Sequence, residues 1–255
     1  MKPIPFDAWA RKNDLSEQSK YDSERLLNRL EAVQAKVAAA KARRHDGAQV
    51  QLVAVSKTHP VEAIQTLYDA GLRHFGESYV QEWEGKVEAL PPDITWHFVG
   101  RLQSNKAKHI ADRVALVHSA DRRSVMKALN RRSEAPMDVL LQVNLGGQRS
   151  KGGVASGEIE DLMEMAVSYP NLKVRGLMGM PPYSDDPEEN RGYFVELRET
   201  LKRLQQYVET HHPERRQGLE ELSMGMSNDF GVAIEEGATI IRVGTALFGE
   251  RDYDE

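Results

Sequence analysis

Two cationic residues lie beside runs that are otherwise apolar. Lys57 closely follows the run 52–55, and Arg242 follows the apolar residues 240–241. A short apolar run bounded by turn residues predicts a strand buried on both faces, where an unpaired cation costs on the order of several kcal/mol. We therefore expect both side chains to have a chemical partner and not merely a packing role.

The chemistry open to Lys57 is nucleophilic attack on a carbonyl group. Its side chain shares the strand parity of Val53 and Val55, and desolvation at a strand end disfavours the ammonium form. The neutral amine that results can form a Schiff base. The alternative is a lysine that ends a strand and extends its ammonium group into water.

Arg242 can donate to an anion or to a ring nitrogen. A guanidinium stays charged at any relevant pH, so within an apolar strand it needs a carboxylate, a phosphate or an acceptor such as a pyridine nitrogen. A structural salt bridge is the alternative interpretation. Taken with Lys57, this arginine indicates a bound anionic cofactor that carries an aldehyde.

The elements that must position these residues alternate regularly. Eight apolar runs predict strands, which are 51–57, 74–77, 96–100, 115–119, 139–145, 174–178, 222–226 and 239–243. Helix signals separate them, and a further helix over about 15–46 precedes the first strand. This alternation predicts one domain over 1–255, an α/β single-domain (β/α)8 TIM barrel with an extra N-terminal helix and a barrel core at about 48–250. An open doubly wound sheet is the competitor, but no Gly-x-Gly-x-x-Gly turn follows the first strand.

Composition narrows the class of protein. The 255 residues are 40% hydrophobic and 29% charged, which is typical of a globular chain with a substantial core. A net charge of −5 argues against a dedicated nucleic-acid binder, and the absence of cysteine excludes disulfides, thiolate zinc sites and cysteine nucleophiles. No stretch approaches the roughly 20 apolar residues of a membrane span, so we expect a cytoplasmic protein without a membrane partner.

Two loops are suited to a phosphate group. In TIM barrels, phosphate binds at the loops after the seventh and eighth strands. Ser227 follows the seventh run, where its hydroxyl and nearby backbone amides could face an anion, and Gly244 and Thr245 follow the eighth. Taken alone, Ser227 could be only a helix cap and Gly244 only a turn glycine; together they favour a phosphate site.

These pieces resemble one known family. The chain is similar, from about residue 26 to 253, to the pyridoxal phosphate homeostasis proteins, single-domain relatives of the N-terminal barrel of alanine racemase. The segment 96–106, Trp-His-Phe-Val-Gly-Arg-Leu-Gln-Ser-Asn-Lys, is highly specific for that family. The other segments that carry the resemblance are 54–58, 75–82, 223–227 and 242–249.

The resemblance implies a role for each matching position. Lys57 matches the lysine that forms a Schiff base with pyridoxal 5′-phosphate, and Arg242 matches the arginine that faces the pyridine nitrogen. Ser227, Gly244 and Thr245 match the phosphate-binding residues. The resemblance implies that the protein holds this cofactor for intracellular vitamin B6 homeostasis.

One residue departs from the family pattern. Ser78 stands where the family usually has asparagine beside the cofactor ring, so any polar contact there is shortened or bridged by water. We keep Ser78 as a weaker candidate for cofactor binding.

The expected activity is holding, not turnover, so we assign no catalytic residue. Racemisation needs acid–base groups on both faces of the substrate carbon; Lys57 could serve one, but alanine racemases take the opposite tyrosine from a second domain. This chain ends soon after the eighth strand, so we expect no enzyme and a monomer. Expected partners are pyridoxal 5′-phosphate and also PLP-dependent apoenzymes or amino acids.

Three other functions stay open at this point. They are an amino-acid racemase that uses pyridoxal phosphate, a barrel aldolase that uses Lys57 on a sugar phosphate without a cofactor, and a binding module built on the cations Lys106, Lys108, Arg113, Arg122 and Arg123. Solvated helix faces explain those cations, and no interleaved aromatic residues suggest base stacking. His97 is either a hydrogen-bonding residue behind the site or a packed core histidine, and we expect no metal site.

Overall fold

The computed structural model of the protein describes residues 23–44, 46–147 and 152–250. Its centre is a closed barrel of eight parallel strands in sequence order. The strands are β1 (Gln51–Val55), β2 (His74–Glu77), β3 (Thr95–Phe98), β4 (Leu116–Ala120), β5 (Met137–Val143), β6 (Leu172–Gly179), β7 (Glu221–Ser223) and β8 (Ile240–Val243). The predicted TIM barrel is confirmed, and the open sheet is excluded because β1 pairs with both β2 and β8.

Helices surround the barrel. They are α1 (Ser23–Arg43), α2 (Val61–Asp69), α3 (Val80–Val87), α4 (Ala107–Ile110), α5 (Arg123–Arg132), α6 (Ile159–Val167), α7 (Arg191–His211), α8 (Phe230–Glu235) and α9 (Thr245–Phe248). Short 3-10 turns lie at Ser104–Lys106, Ser156–Glu158, Pro187–Asn190 and Pro213–Arg215. No helix in the described part of the chain is long and apolar enough to cross a membrane.

The N-terminal helix closes the outer ring. Leu26, Leu30 and Val33 on α1 are buried, as their helical spacing predicts, and α1 packs against α2, α8 and α9. Arg29 Nη1 donates to the carbonyl of Phe248 at 2.9 Å. The extra N-terminal helix is therefore confirmed, although the part of it predicted at 15–22 and at residue 45 lies outside the described residues.

The predicted strands differ from the observed ones mainly at their C-terminal ends. β1 ends at Val55 where the prediction extended to residue 57, and β7 ends at Ser223 where it extended to residue 226. The reason is local: Thr58 has φ 68° and Gly225 has φ 89°, and a left-handed residue turns the chain out of a ladder. The apolar residues that follow a strand here belong to site loops.

The barrel interior has its own apolar layer, separate from the core between sheet and helices. It consists of Val53, Leu116, Leu140, Met178 and Ile240, all buried. Because side chains alternate along a strand, residues at even spacing from this layer also point inward. Those positions include Arg242 on β8; Lys57 shares the sequence parity of Val53 but lies two residues past the end of β1, in the turn.

Candidate functional site

Lys57 and Arg242 come from neighbouring strands. β1 and β8 are paired with Val53 beside Arg242, and the half-buried Lys57 follows β1 directly. Val53 is fully buried in the interior layer. The lysine thus lies at the mouth of the barrel, the face where the C-terminal ends of the strands meet, and the arginine lies deeper beside it.

Arg242 is buried among neutral partners. Its side chain donates from Nη1 to Ser223 Oγ at 2.5 Å and from Nη2 to the carbonyl of Gly179 at 3.0 Å. Among the described residues it forms no salt bridge with a carboxylate, so the structural salt bridge considered above is not what holds it. Burial lowers the pKa of Arg242 to about 10, while the charge of Asp229 acts in the opposite direction. The guanidinium is therefore still a cation at neutral pH and can serve an anion or a ring nitrogen.

The predicted phosphate residues meet at one point. Ser227 Oγ accepts hydrogen bonds from the backbone N–H of Gly244 at 3.2 Å and of Ala246 at 3.1 Å, and the exposed Thr245 lies between them. Because the oxygen accepts from two amides, its own hydrogen points away from them and can be donated to a ligand. Ser227 does not cap α8, which begins at Phe230; it instead binds the first turn of α9.

The loop that carries Ser227 is fixed by residues that the sequence did not single out. Gly225 has φ 89°, and a Cβ there would lie 2.6 Å from Ala233 Cβ, so only glycine fits this turn. Asp229 accepts from Met226 N at 2.7 Å and from Asn190 Nδ2 at 2.8 Å. The turn is thus held from both sides.

A buried ionic cluster anchors the backbone at Lys57. Lys86 Nζ, fully buried, donates to the carbonyl of Ser56 at 2.8 Å, to Glu77 Oε1 at 2.8 Å and to Glu82 Oε1 at 2.6 Å. Ser56 Oγ also donates to Glu77 at 2.7 Å. The cluster was missed, although Glu82, the last residue of the family segment 75–82, and Lys86 show the i,i+4 spacing of an ion pair.

The same cluster reaches the residue after the lysine. The N–H of Thr58 donates to Glu82, and Thr58 holds the left-handed conformation with φ 68°. The next residue, His59, stacks on Phe248 of α9 at a centroid distance of 4.5 Å. The segment around Lys57 therefore packs against α9, whose first turn forms part of the candidate phosphate site.

Ser78 lies at the rim of the mouth. It follows β2, which pairs with β1, and it is half-buried. Its backbone packs so closely against Gly100 that a Cβ at residue 100 would overlap its carbonyl group. The structure thus places Ser78 beside the Lys57 segment; its contact with a cofactor ring stays a prediction.

A chain of polar side chains crosses the barrel interior behind Arg242. Ser223 Oγ lies 2.8 Å from His118 Nδ1, His118 Nε2 lies 3.0 Å from His97 Nδ1, and His97 Nε2 lies 3.1 Å from His74 Nδ1. His97 is therefore a hydrogen-bonding residue behind the site, which decides between the two interpretations given above. Ser223, His118 and His74 were not singled out from the sequence. A signal was available, since a polar residue at an inward position of an apolar strand needs a hydrogen-bond partner.

The cations considered for a binding module have structural partners in several cases. Arg113 lies 4.7 Å above the ring of Trp83, and Arg122 donates to Asp121 and to the carbonyl of Leu102. Among the residues that the structure describes, no group of three or more metal-ligating side chains is clustered.

Comparison with known proteins identifies the family. The alanine racemase N-terminal domain family matches residues 29–252. The chain is 47% identical over 207 residues to the pyridoxal phosphate homeostasis protein of Aquifex aeolicus, covering 80% of this chain and 88% of the relative. The chain belongs to this family. A pyridoxal phosphate homeostasis protein of Escherichia coli K12 is 36% identical over 238 residues, which cover 90% of this chain and 98% of that one.

Solved structures agree with this assignment. PipY of Synechococcus elongatus, in a structure with PLP bound, has a TM-score of 0.73 and 35% identity, covering 88% of this chain and 100% of PipY. Alanine racemase of E. faecalis has a TM-score of 0.62 at 17% identity, covering 90% of this chain and 59% of the racemase. The second likeness concerns the barrel fold alone.

Proposed function

We propose that this protein binds pyridoxal 5′-phosphate at the barrel mouth and holds it covalently through Lys57, as part of intracellular vitamin B6 homeostasis. The observation that carries the proposal is the convergence of three kinds of donor. A lysine, a buried guanidinium with neutral partners, and a hydroxyl that binds two backbone amides lie on two neighbouring strands and the loop between β7 and α8. The relatives' names and the PLP in the PipY structure support the same ligand.

The donor set fits this cofactor group by group. When bound, pyridoxal 5′-phosphate supplies an aldehyde that condenses with a primary amine. Lys57 would provide that amine, while Ser227, Gly244 and Thr245 would line the phosphate position. Because the Gly244 N–H donates to Ser227 Oγ, the hydroxyl groups of Ser227 and Thr245 would be the donors. Arg242 would donate to the ring nitrogen, since no carboxylate among the described residues is paired with it. Ser78 would lie at the edge of the ring.

Arg242 also limits the chemistry of the site. Because a guanidinium donates a hydrogen bond and cannot accept one, it disfavours a protonated ring nitrogen, which would make the ring a weaker electron sink for carbanions. We therefore propose that the protein holds and releases the cofactor with little or no racemase turnover. The name given to the relatives, homeostasis protein, supports this role.

We extend the proposal to the setting of the protein. Residues 1–255 would form one domain that acts as a cytoplasmic monomer and passes the cofactor to apoenzymes or to amino acids. α1 packs against α2 near the start of the barrel and against α8 and α9 near its end, which supports the single domain. Light scattering of the purified protein, with and without cofactor, tests the monomer.

An absorption spectrum tests covalent binding. The protein incubated with pyridoxal 5′-phosphate should gain a visible band, which Lys57→Ala should lack. Lys202→Ala is the matched control, because Lys202 is an exposed lysine on α7 paired with Glu199. Borohydride reduction followed by peptide mass spectrometry should place the label on Lys57; a band that persists in Lys57→Ala, or a label on another lysine, refutes the assignment.

Proton exchange tests the absence of turnover. The loaded protein is incubated with L-alanine or L-serine in D₂O, and α-deuteration and D-isomer formation are followed by NMR. We expect both to stay near the rate of free cofactor. Interconversion at enzyme-like rates would identify a racemase and overturn the holding role, while binding through Lys57 would stand.

A further inference from the structure

The polar chain behind Arg242 begins at a group that can only donate. A guanidinium has only donors, so Ser223 Oγ must accept from Arg242 Nη1. The hydroxyl hydrogen of Ser223 is then available to the next atom in the chain, His118 Nδ1 at 2.8 Å. The oxygen has a second lone pair, so the arginine alone does not orient the hydroxyl; donation to His118 Nδ1 is the arrangement that also gives the Ser223 hydrogen a partner among the described residues.

The same logic continues through the imidazoles. If His118 Nδ1 accepts, its hydrogen resides on Nε2 and is donated to His97 Nδ1 at 3.0 Å. His97 must then carry its own hydrogen on Nε2, for which His74 Nδ1 at 3.1 Å is the acceptor; Gln51 Nε2, 3.2 Å away, is itself a donor and cannot accept it. Each neutral imidazole accepts on one side and donates on the other, so the tautomers of His118 and His97 follow once Ser223 donates to His118.

The surroundings keep both imidazoles neutral. His118 is fully buried and His97 is 3% exposed. Burial lowers the pKa of His118 well below its ordinary value and that of His97 to about 3. The positive charge of Arg242 acts on His118 in the same direction. A charged imidazole could not accept from Ser223, so neutrality is a condition of the chain.

We propose that His118 is a positioning residue that acts through Ser223 to hold the Arg242 guanidinium toward the ring nitrogen of the bound cofactor. Arg242 has few anchors for its position: Ser223 on one terminal nitrogen and the carbonyl of Gly179 on the other. Without an acceptor at His118, the Ser223 hydroxyl is free to turn its hydrogen toward the guanidinium, which removes one anchor. The identity of the ligand in this inference rests on the proposed function, whereas the hydrogen-bonded series of Ser223, His118 and His97 does not.

The tautomers can be measured without any cofactor. In the ¹⁵N-labelled, cofactor-free protein, long-range ¹H–¹⁵N NMR of the imidazoles should show His118 and His97 neutral, with the hydrogen on Nε2. His118→Leu, which removes its own signals, assigns the spectrum. A hydrogen on Nδ1 of His118, or a charged imidazole there, would overturn the proposal.

The role toward the ring needs a ligand that lacks the ring nitrogen. Affinities are measured for pyridoxal 5′-phosphate and for its 1-deaza analogue, in which a C–H replaces that nitrogen. His118→Leu should weaken the binding of the natural cofactor about 10-fold, which is the size of one hydrogen bond to a charged group. It should weaken the binding of the analogue less than about 2-fold. His118→Asn, whose amide oxygen can accept from Ser223, should restore most of the loss.

Two controls separate a positioning role from general damage. Met178→Leu alters the interior layer beside Ser223 but leaves every hydrogen-bonding group of the polar chain in place, and it should change both affinities equally little. Ser223→Ala repeats the selective loss by a second route if His118→Leu fails to fold. Equal weakening of both ligands, or no weakening of either, overturns the proposal. If the wild-type protein binds neither compound, the proposed function fails and the role toward the ring fails with it, while the tautomers still decide whether His118 orders Arg242.

Discussion

The buried ammonium of Lys86 offers the sharpest test of how the Lys57 segment is held. The Lys86 side chain is fully buried with Glu77, and its Nζ also contacts Glu82 and the carbonyl of Ser56. Lys86→Met keeps the length and apolar volume of the side chain but removes the charge and its donors. The perturbation therefore isolates the electrostatic part of the cluster.

The expected cost is large because one charge of a buried pair is left alone. Removing one partner of a buried ion pair destabilises a protein by roughly 3–5 kcal/mol. Glu77 lies at the centre of this effect: burial raises its pKa to about 7, and Lys86 acts to lower it. Without Lys86 the pKa of Glu77 rises further, so the variant escapes part of the cost by keeping this carboxyl group protonated.

The sign of the pH dependence follows from linkage. A carboxyl group whose folded pKa is raised above its unfolded value of 4.5 stabilises the fold at low pH and loses that contribution as the pH rises through the folded pKa. Above pH 7 the wild-type Glu77 ionises beside Lys86, whereas the variant must keep its proton. The difference in unfolding free energy between wild type and Lys86→Met should therefore widen above pH 7 by up to about 1.4 kcal/mol per pH unit.

Urea unfolding followed by circular dichroism at pH 5.5 and pH 8 measures both effects. We expect Lys86→Met to lose at least about 3 kcal/mol at pH 8 and less at pH 5.5. The double variant Glu77→Gln with Lys86→Met should recover part of the loss, because it removes the stranded carboxylate. A loss below about 1 kcal/mol, or an equal loss at the two pH values, would show that the pair is not the electrostatic anchor described above.

Three further outcomes test other parts of the site. Ser227→Ala should weaken the binding of pyridoxal 5′-phosphate about 10-fold in fluorescence titrations. The affinity for pyridoxal, which has no phosphate, should not change. An equal loss of affinity for both compounds would argue against a phosphate contact. Gly225→Ala should lower the urea midpoint and cost about 1–3 kcal/mol, because φ 89° is strained for alanine; an unchanged midpoint would contradict this. His97 has its pKa lowered to about 3, so its stability contribution is present above pH 6.5 and is lost as the pH falls toward 3, by about 1.4 kcal/mol per pH unit. Glu77 changes the stability with pH in the opposite direction, so the unfolding free energy of wild type is compared with that of His97→Gln at each pH. If the two proteins show parallel pH profiles, the predicted contribution of His97 is refuted.

Periodicity along the chain, together with the family resemblance, predicted the barrel and the end at which its site lies. The alternation of apolar runs with helix signals is a local property, and eight such units close into one known architecture. The family segments then pointed to Lys57, Arg242, Ser227, Gly244 and Thr245. The structure places these residues on adjacent strands and loops.

What the sequence could not supply is the partner of each buried polar group. Ser223 and His118 are 105 residues apart, and Arg242 and Gly179 are 63 apart; such pairs exist only once the barrel has closed. The strand ends were also misjudged, because an apolar residue after a strand looks the same whether it continues the ladder or turns into a loop. Sequence alone thus determined which residues face the mouth, since strand parity and order are local, whereas tertiary closure decided which neutral acceptors hold the arginine and which carboxylates hold the lysine segment.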